Sequence, residues 1–188
     1  MIYVKYLVLL RGINVGGKNI VTMSALRVCL ESMGLKNVTT YIQSGNILFE
    51  SSLKSPAELT REIEDALSAE LLNAAQVVVV SQQQLKSVVT KAPAGFGADP
   101  AKYRYDVMFV RAPLRARELL PTIALKEGVD EAFESNGVLY FRRLTRLASQ
   151  SKLSRLVATP AYKSMTIRNW NTVTKLCRLI CTPKPAAG

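Results

Sequence analysis

Apolar residues recur at two spacings along this chain, and each change of spacing marks an element. Residues 3–10 form an apolar run ending Tyr6-Leu7-Val8-Leu9-Leu10, which predicts a strand. From about Thr22 the spacing becomes helical. Met23, Leu26, Leu30 and Met33 share one face, and Gly34 suits the stop. Val38–Ile42 and Ile47–Glu50 are short β-branched or aromatic runs, separated by the hairpin-like turn Gln43-Ser44-Gly45-Asn46. Ser55-Pro56-Ala57-Glu58 then combines a capping Ser, Pro at the first helical position and a Glu that reaches back. Leu59, Ile63, Leu67 and Leu71 continue that helix, and Val77–Val80 is a buried strand. The order βαββαβ predicts a ferredoxin-like α+β unit, an antiparallel sheet with two helices on one face.

Ser81-Gln82-Gln83-Gln84 opens another capped helix, with Leu85, Val88 and Val89 as its apolar face. Ala92–Pro100, rich in Pro, Gly and Ala, reads as a linker. Beyond it the pattern predicts a strand at 104–110, a helix at 114–121 and a hairpin of 129–134 with 138–142 across Ser135-Asn136-Gly137. Two helical patterns follow, near 152–158 and 169–181. The second half is thus expected to be a smaller α+β unit with a βαββ core and C-terminal helices. Domains are expected at 1–92 and 101–188, two related units without a residue-level repeat.

Composition narrows the chemistry. At 188 residues, 48% hydrophobic and 21% charged, the chain suits one large or two small globular domains. No apolar run approaches the length of a membrane span, and Lys5 interrupts a short N-terminal stretch that lacks a cleavage site. Cytoplasm is the expected compartment, with no membrane partner. Three cysteines without CxxC spacing (Cys29, Cys177, Cys181) argue for core packing over a disulfide framework or a zinc site. Histidine is absent altogether, which removes the commonest general base and metal ligand. Any catalysis would run on carboxylate, lysine, tyrosine or backbone groups. No metal and no cofactor are expected.

Charge is distributed unevenly. Residues 1–94 hold nine Lys and Arg against seven Asp and Glu, whereas residues 95–188 hold sixteen against seven. Glu134 is the last acid, and ten cations follow it. A basic segment without local acids attracts polyanions, so nucleic acid or a phosphate-bearing small molecule is the expected partner class. A solvated basic face is the plainer alternative.

Three polar stretches could carry a function. Arg11-Gly12-Ile13-Asn14-Val15-Gly16-Gly17-Lys18-Asn19 follows the first strand and satisfies G-x-x-x-x-G-K, the start of a phosphate-binding loop. Against a nucleoside triphosphatase stand Asn19 in place of Ser or Thr, a helix that begins late, no later strand ending in Asp, and the antiparallel order. A glycine turn explains Gly12, Gly16 and Gly17 but leaves Arg11 and Lys18 unexplained. Tyr41-Ile42-Gln43-Ser44-Gly45-Asn46 lacks the context of a nucleophilic serine and reads as a turn closed by amide side chains. In Thr166-Ile167-Arg168-Asn169-Trp170-Asn171-Thr172, Asn169 or Asn171 can cap the last helix, and Trp170 reads as a core anchor. Arg168 at a helix start is unfavourable unless an anion lies nearby.

Together these stretches resemble a bacterial family known only as a domain of unknown function. The matching positions are Arg11, Gly12, Asn14, Gly16, Gly17 and Asn19, then Gln43, Ser44, Gly45 and Asn46, then Arg168, Asn169, Trp170 and Asn171, with Lys152 after Ser151. The resemblance implies an α+β fold with ferredoxin-like subdomains in a cytosolic protein, and it implies no catalytic residues.

Three functions remain open on the sequence. In the first, a non-catalytic module binds an anion through Arg11, Lys18, Lys152 and Arg168, the glycine-loop amides and neighbouring polar side chains. RNA reading of the sheet would need a solvent-facing aromatic, for which Phe49 is the one candidate. In the second, a phosphate-ester enzyme uses Lys18 or Arg168 for charge and Asp106 as base. In the third, the same residues lock the two units together.

Overall fold

The computed structural model describes residues 3–12, 21–42, 45–52, 54–71 and 74–182. Strand β1 (Tyr3–Leu10) is followed by helix α1 (Met23–Ser32), strands β2 (Lys36–Tyr41) and β3 (Asn46–Ser52), helix α2 (Pro56–Glu70), strand β4 (Val77–Ser81) and helix α3 (Gln82–Thr90). The four strands form one antiparallel sheet in the order β2-β3-β1-β4, the ferredoxin-like arrangement expected from the sequence. Local chemistry sets the helix starts. Thr22 Oγ1 accepts from Ala25 N at 3.1 Å to open α1, and Ser55 with Glu58 closes a reciprocal capping box on α2. Tyr6, Val8 and Leu10 point to one face and pack with Leu26, Leu30, Leu59 and Ile63, joined by buried Cys29. Leu7 and Leu9 on the opposite face are fully buried as well. A strand covered on both faces has no reason to alternate, hence the unbroken run.

The second half holds β5 (Tyr103–Val110), a short α4 (Ala116–Leu119), β6 (Asp130–Ser135), β7 (Val138–Leu144), α5 (Leu153–Val157), β8 (Met165–Asn169) and α6 (Trp170–Cys181). Its sheet order is β6-β7-β5-β8, again wholly antiparallel. The expected βαββ core followed by helices is therefore corrected to a complete βαββαβ unit. The fourth strand was hidden because Met165-Thr166-Ile167-Arg168-Asn169 is short and mixed in polarity. Its pairing with β5 from Val110↔Met165 to Asp106↔Asn169 makes it a strand. Each half then runs directly from its fourth strand into a further helix, β4 into α3 and β8 into α6, so the chain is two copies of βαββαβα.

By packing, the chain divides into Met1–Lys86 with Thr174–Gly188, and Ser87–Val173. This differs from boundaries at 92 and 101. The divisions fall inside α3 and α6, and the end of α6 is held within the first unit: Lys5 Nζ donates to Thr182 O at 2.9 Å and Gln82 Nε2 to Ile180 O at 3.3 Å. Among the described residues no helix is long and apolar enough to cross a membrane.

Candidate functional site

In the first unit, one end of the sheet holds the described ends of the first two motifs, Arg11-Gly12 and Gly45-Asn46. β1 and β3 run antiparallel with Leu9 opposite Asn46, and Leu10 N donates to Gly45 O at 2.8 Å. The exit from β1 into the glycine loop thus lies against the β2–β3 turn. β4 starts at the same end, where Arg11 N donates to Gln76 O at 3.0 Å and Arg11 Nη1 to Gln76 Oε1 at 3.2 Å. Glu64 Oε1 accepts from Val77 N at 2.9 Å beside it. Gly12 has φ +63° and Gly45 φ +69°, a region that glycine enters without the Cβ clash other residues meet. Asn46 is fully buried and its Nδ2 donates to Tyr41 O at 3.1 Å, so it closes the turn as an amide should. Asn14, Gly16, Gly17, Lys18, Asn19, Gln43 and Ser44 lie outside the described residues.

The remaining positions belong to the second unit. Asn169 ends β8 and caps α6: its Oδ1 accepts from Asn171 N at 3.0 Å while its Nδ2 donates to Tyr105 O at 3.1 Å. Asn171 is exposed on the first turn of the helix. Arg168 Nη1 donates to Thr166 Oγ1 at 2.7 Å and to Ile167 O at 2.9 Å, and burial lowers the guanidinium to about 10. Lys152 is half-buried, with its backbone N–H donating to Asp130 Oδ2 at 2.8 Å. Trp170 meets Phe96 edge-on at 5.2 Å and lies 6.5 Å from Tyr140, an aromatic cluster of the second unit.

Several expectations change. Phe49 is 2% exposed and stacks on Tyr6 at 5.5 Å within the helix-covered face, so the one candidate base platform is core. Asp106, within β5, is buried beside Arg143 (Oδ2 to Nη2, 3.4 Å). Desolvation raises its pKa, partly offset by Arg143 and Arg104. The acid-free stretch after Glu134 also gains partners from upstream strands. Arg142 pairs with Glu131 at 2.7 Å and lies 4.8 Å over the Tyr103 ring, and Arg143 faces Asp106. Cys177 and Cys181 are half-buried free thiols, not core residues like Cys29.

One structural relationship was missed. Arg111 follows β5 as Arg11 follows β1, one hundred residues apart, and Arg111 N donates to Ser164 O at 2.8 Å as Arg11 N does to Gln76 O. The signal was an apolar run closed by arginine, Leu7–Arg11 and Val107–Arg111, masked by unlike residues between.

The family described as "Protein of unknown function (DUF1697)" matches residues 4–140. The chain belongs to this family. Among solved structures, the DUF1697 chain is similar to conserved bacterial protein SP0830 from Streptococcus pneumoniae. The two are 28% identical with a TM-score of 0.84, over 95% of this chain and 99% of that one. No curated protein matches it.

Proposed function

We propose that this chain is a non-catalytic, cytosolic binding module for a phosphate-bearing ligand, seated at the end of the first sheet where β1 and the β2–β3 turn meet. One observation carries the reading: strand pairing sets Arg11 and Gly12, at the exit of β1, at the same end of the sheet as Gly45 of the β2–β3 turn. Gly12, exposed with open space where a Cβ would stand, leaves the kind of backbone surface that can approach phosphate oxygens. Arg11, held by Gln76, supplies a planar cation suited to two oxygens at once. Lys18 and Asn19 extend the same loop in sequence. Arg168 and Asn169, by contrast, bond their own strand, β5 and α6, which favours a role in building the second unit.

The test titrates the full chain with a single-stranded RNA oligonucleotide and with a nucleoside triphosphate, at about 50 and about 200 mM salt. Binding of either is expected, with a steep salt dependence for the RNA, and Arg11→Ala should weaken it about tenfold or more while leaving the circular dichroism spectrum unchanged. Absence of binding at the lower salt, or wild-type affinity in Arg11→Ala, overturns the reading.

A further inference from the structure

A second site lies in the first unit on the sheet face opposite α1 and α2. There a cleft of about 270 Å³ opens between strands β1, β3 and β2 and the last turn of α6. Lys5 and Glu50 sit directly opposite each other in the β1–β3 ladder and both line it. Cross-strand neighbours have Cβ atoms about 5 Å apart, close enough for an ion pair. These two charges are instead held by other groups. Lys5 Nζ donates to Thr182 O at the end of α6, where a cation is favoured by the helix dipole. Glu50 Oε2 accepts from Asn37 Nδ2 at 2.8 Å, on the strand beyond β3 from Lys5.

The walls complete the chemistry. Leu48 from β3 and Leu179 and Ile180 from α6 are aliphatic, and the Thr39 and Tyr41 hydroxyls stand on β2. A volume of this size suits a small molecule. An ammonium uses one of its three donors on Thr182, and one carboxylate oxygen of Glu50 is engaged by Asn37, so each head keeps hydrogen-bonding capacity. A small molecule carrying both charges and a short branched hydrocarbon matches every one of these features.

We propose that the cleft binds a free aliphatic α-amino acid, its carboxylate on Lys5, its ammonium on Glu50 and its side chain against Leu48, Leu179 and Ile180. The zwitterion is favoured over any singly charged analogue, because each analogue leaves one of the two protein charges without a partner on the ligand.

Isothermal titration of the full chain tests this with L-leucine, 4-methylpentanoate and 3-methylbutylamine. Leucine is expected to bind, and each one-charge analogue to bind at least about tenfold more weakly, which is 1.4 kcal/mol or more. Glu50→Gln, which keeps an acceptor for Asn37, should lose leucine affinity by a similar factor without altering 4-methylpentanoate. Amide and methyl NMR shifts at Leu48 and Leu179 report occupancy even if the heat is small. No shift at millimolar leucine, or equal binding of the three ligands, overturns the proposal.

Discussion

Gly97 leaves the space that the indole of Trp170 fills. A Cβ at Gly97 would overlap Trp170 Nε1 and Cδ1, and the residue sits at φ +85°, where side chains are strained in any case. Gly95, two residues earlier, has φ +73° with open space around it. Gly97→Ala should therefore cost about 2–4 kcal/mol, adding overpacking to backbone strain, whereas Gly95→Ala should cost only about 1–2. Denaturant unfolding of both variants checks the difference. Equal costs would mean that the contact with Trp170 contributes nothing.

Asn169 makes two bonds at the junction of β8 and α6, one to each neighbour. Asn169→Ala should destabilise by about 1–2 kcal/mol, from the lost cap and an unpaired Tyr105 carbonyl. Asn169→Asp keeps the acceptor for Asn171 N and should fall between the two. Equilibrium unfolding and the ligand titrations should separate: stability falls while affinity for anions stays as in the wild type.

Tyr140 is fully buried and its hydroxyl donates to Val88 O at 2.8 Å. Burial pushes the phenol up from 10.0 to about 12. The folded state thus favours the protonated phenol, a contribution present below pH 10 and lost as pH rises through about 12. Ultraviolet titration should show one tyrosine ionising last, and Tyr140→Phe should remove that step at a cost of about 1–2 kcal/mol.

Asp106 titrates in the opposite sense to a salt-bridged surface carboxylate. Burial lifts it above 3.8 despite Arg143 and Arg104, so the folded chain binds a proton that the unfolded chain releases. The stabilising contribution is complete below the ordinary Asp range and declines as pH rises through the folded-state value. Carboxyl NMR should place Asp106 above the ordinary aspartate value of 3.8. Asp106→Asn should flatten this part of the pH dependence of unfolding, and an unshifted Asp106 resonance would refute the assignment.

Sequence and structure agree wherever one element suffices to decide. The Ser55 capping box and the apolar stripes of α1 and α2 are local chemistry, written within a few residues, and they appear where the pattern puts them. The hairpin of β6 and β7 is announced by Asn136-Gly137, both at positive φ in the turn. The three polar stretches were equally plain in the sequence. Their arrangement was not, because whether the Arg11 loop and the Gly45 turn share an end depends on β1–β3 register.

The order of local elements, the ferredoxin-like character of the first half and the absence of histidine chemistry were all present in the linear pattern, since each depends on spacing or residue type alone. Tertiary structure decided the rest. Met165–Asn169 carries too little apolar periodicity to announce a strand and becomes one only by bonding to β5. Arg142 and Arg143 look unpaired along the chain, yet sheet pairing sets them beside Glu131 and Asp106. Lys5 and Glu50, forty-five residues apart, become cross-strand neighbours lining one cleft through the β1–β3 ladder. Non-local hydrogen bonds choose which residues face each other, and a spacing rule confined to neighbours along the chain has no access to that choice.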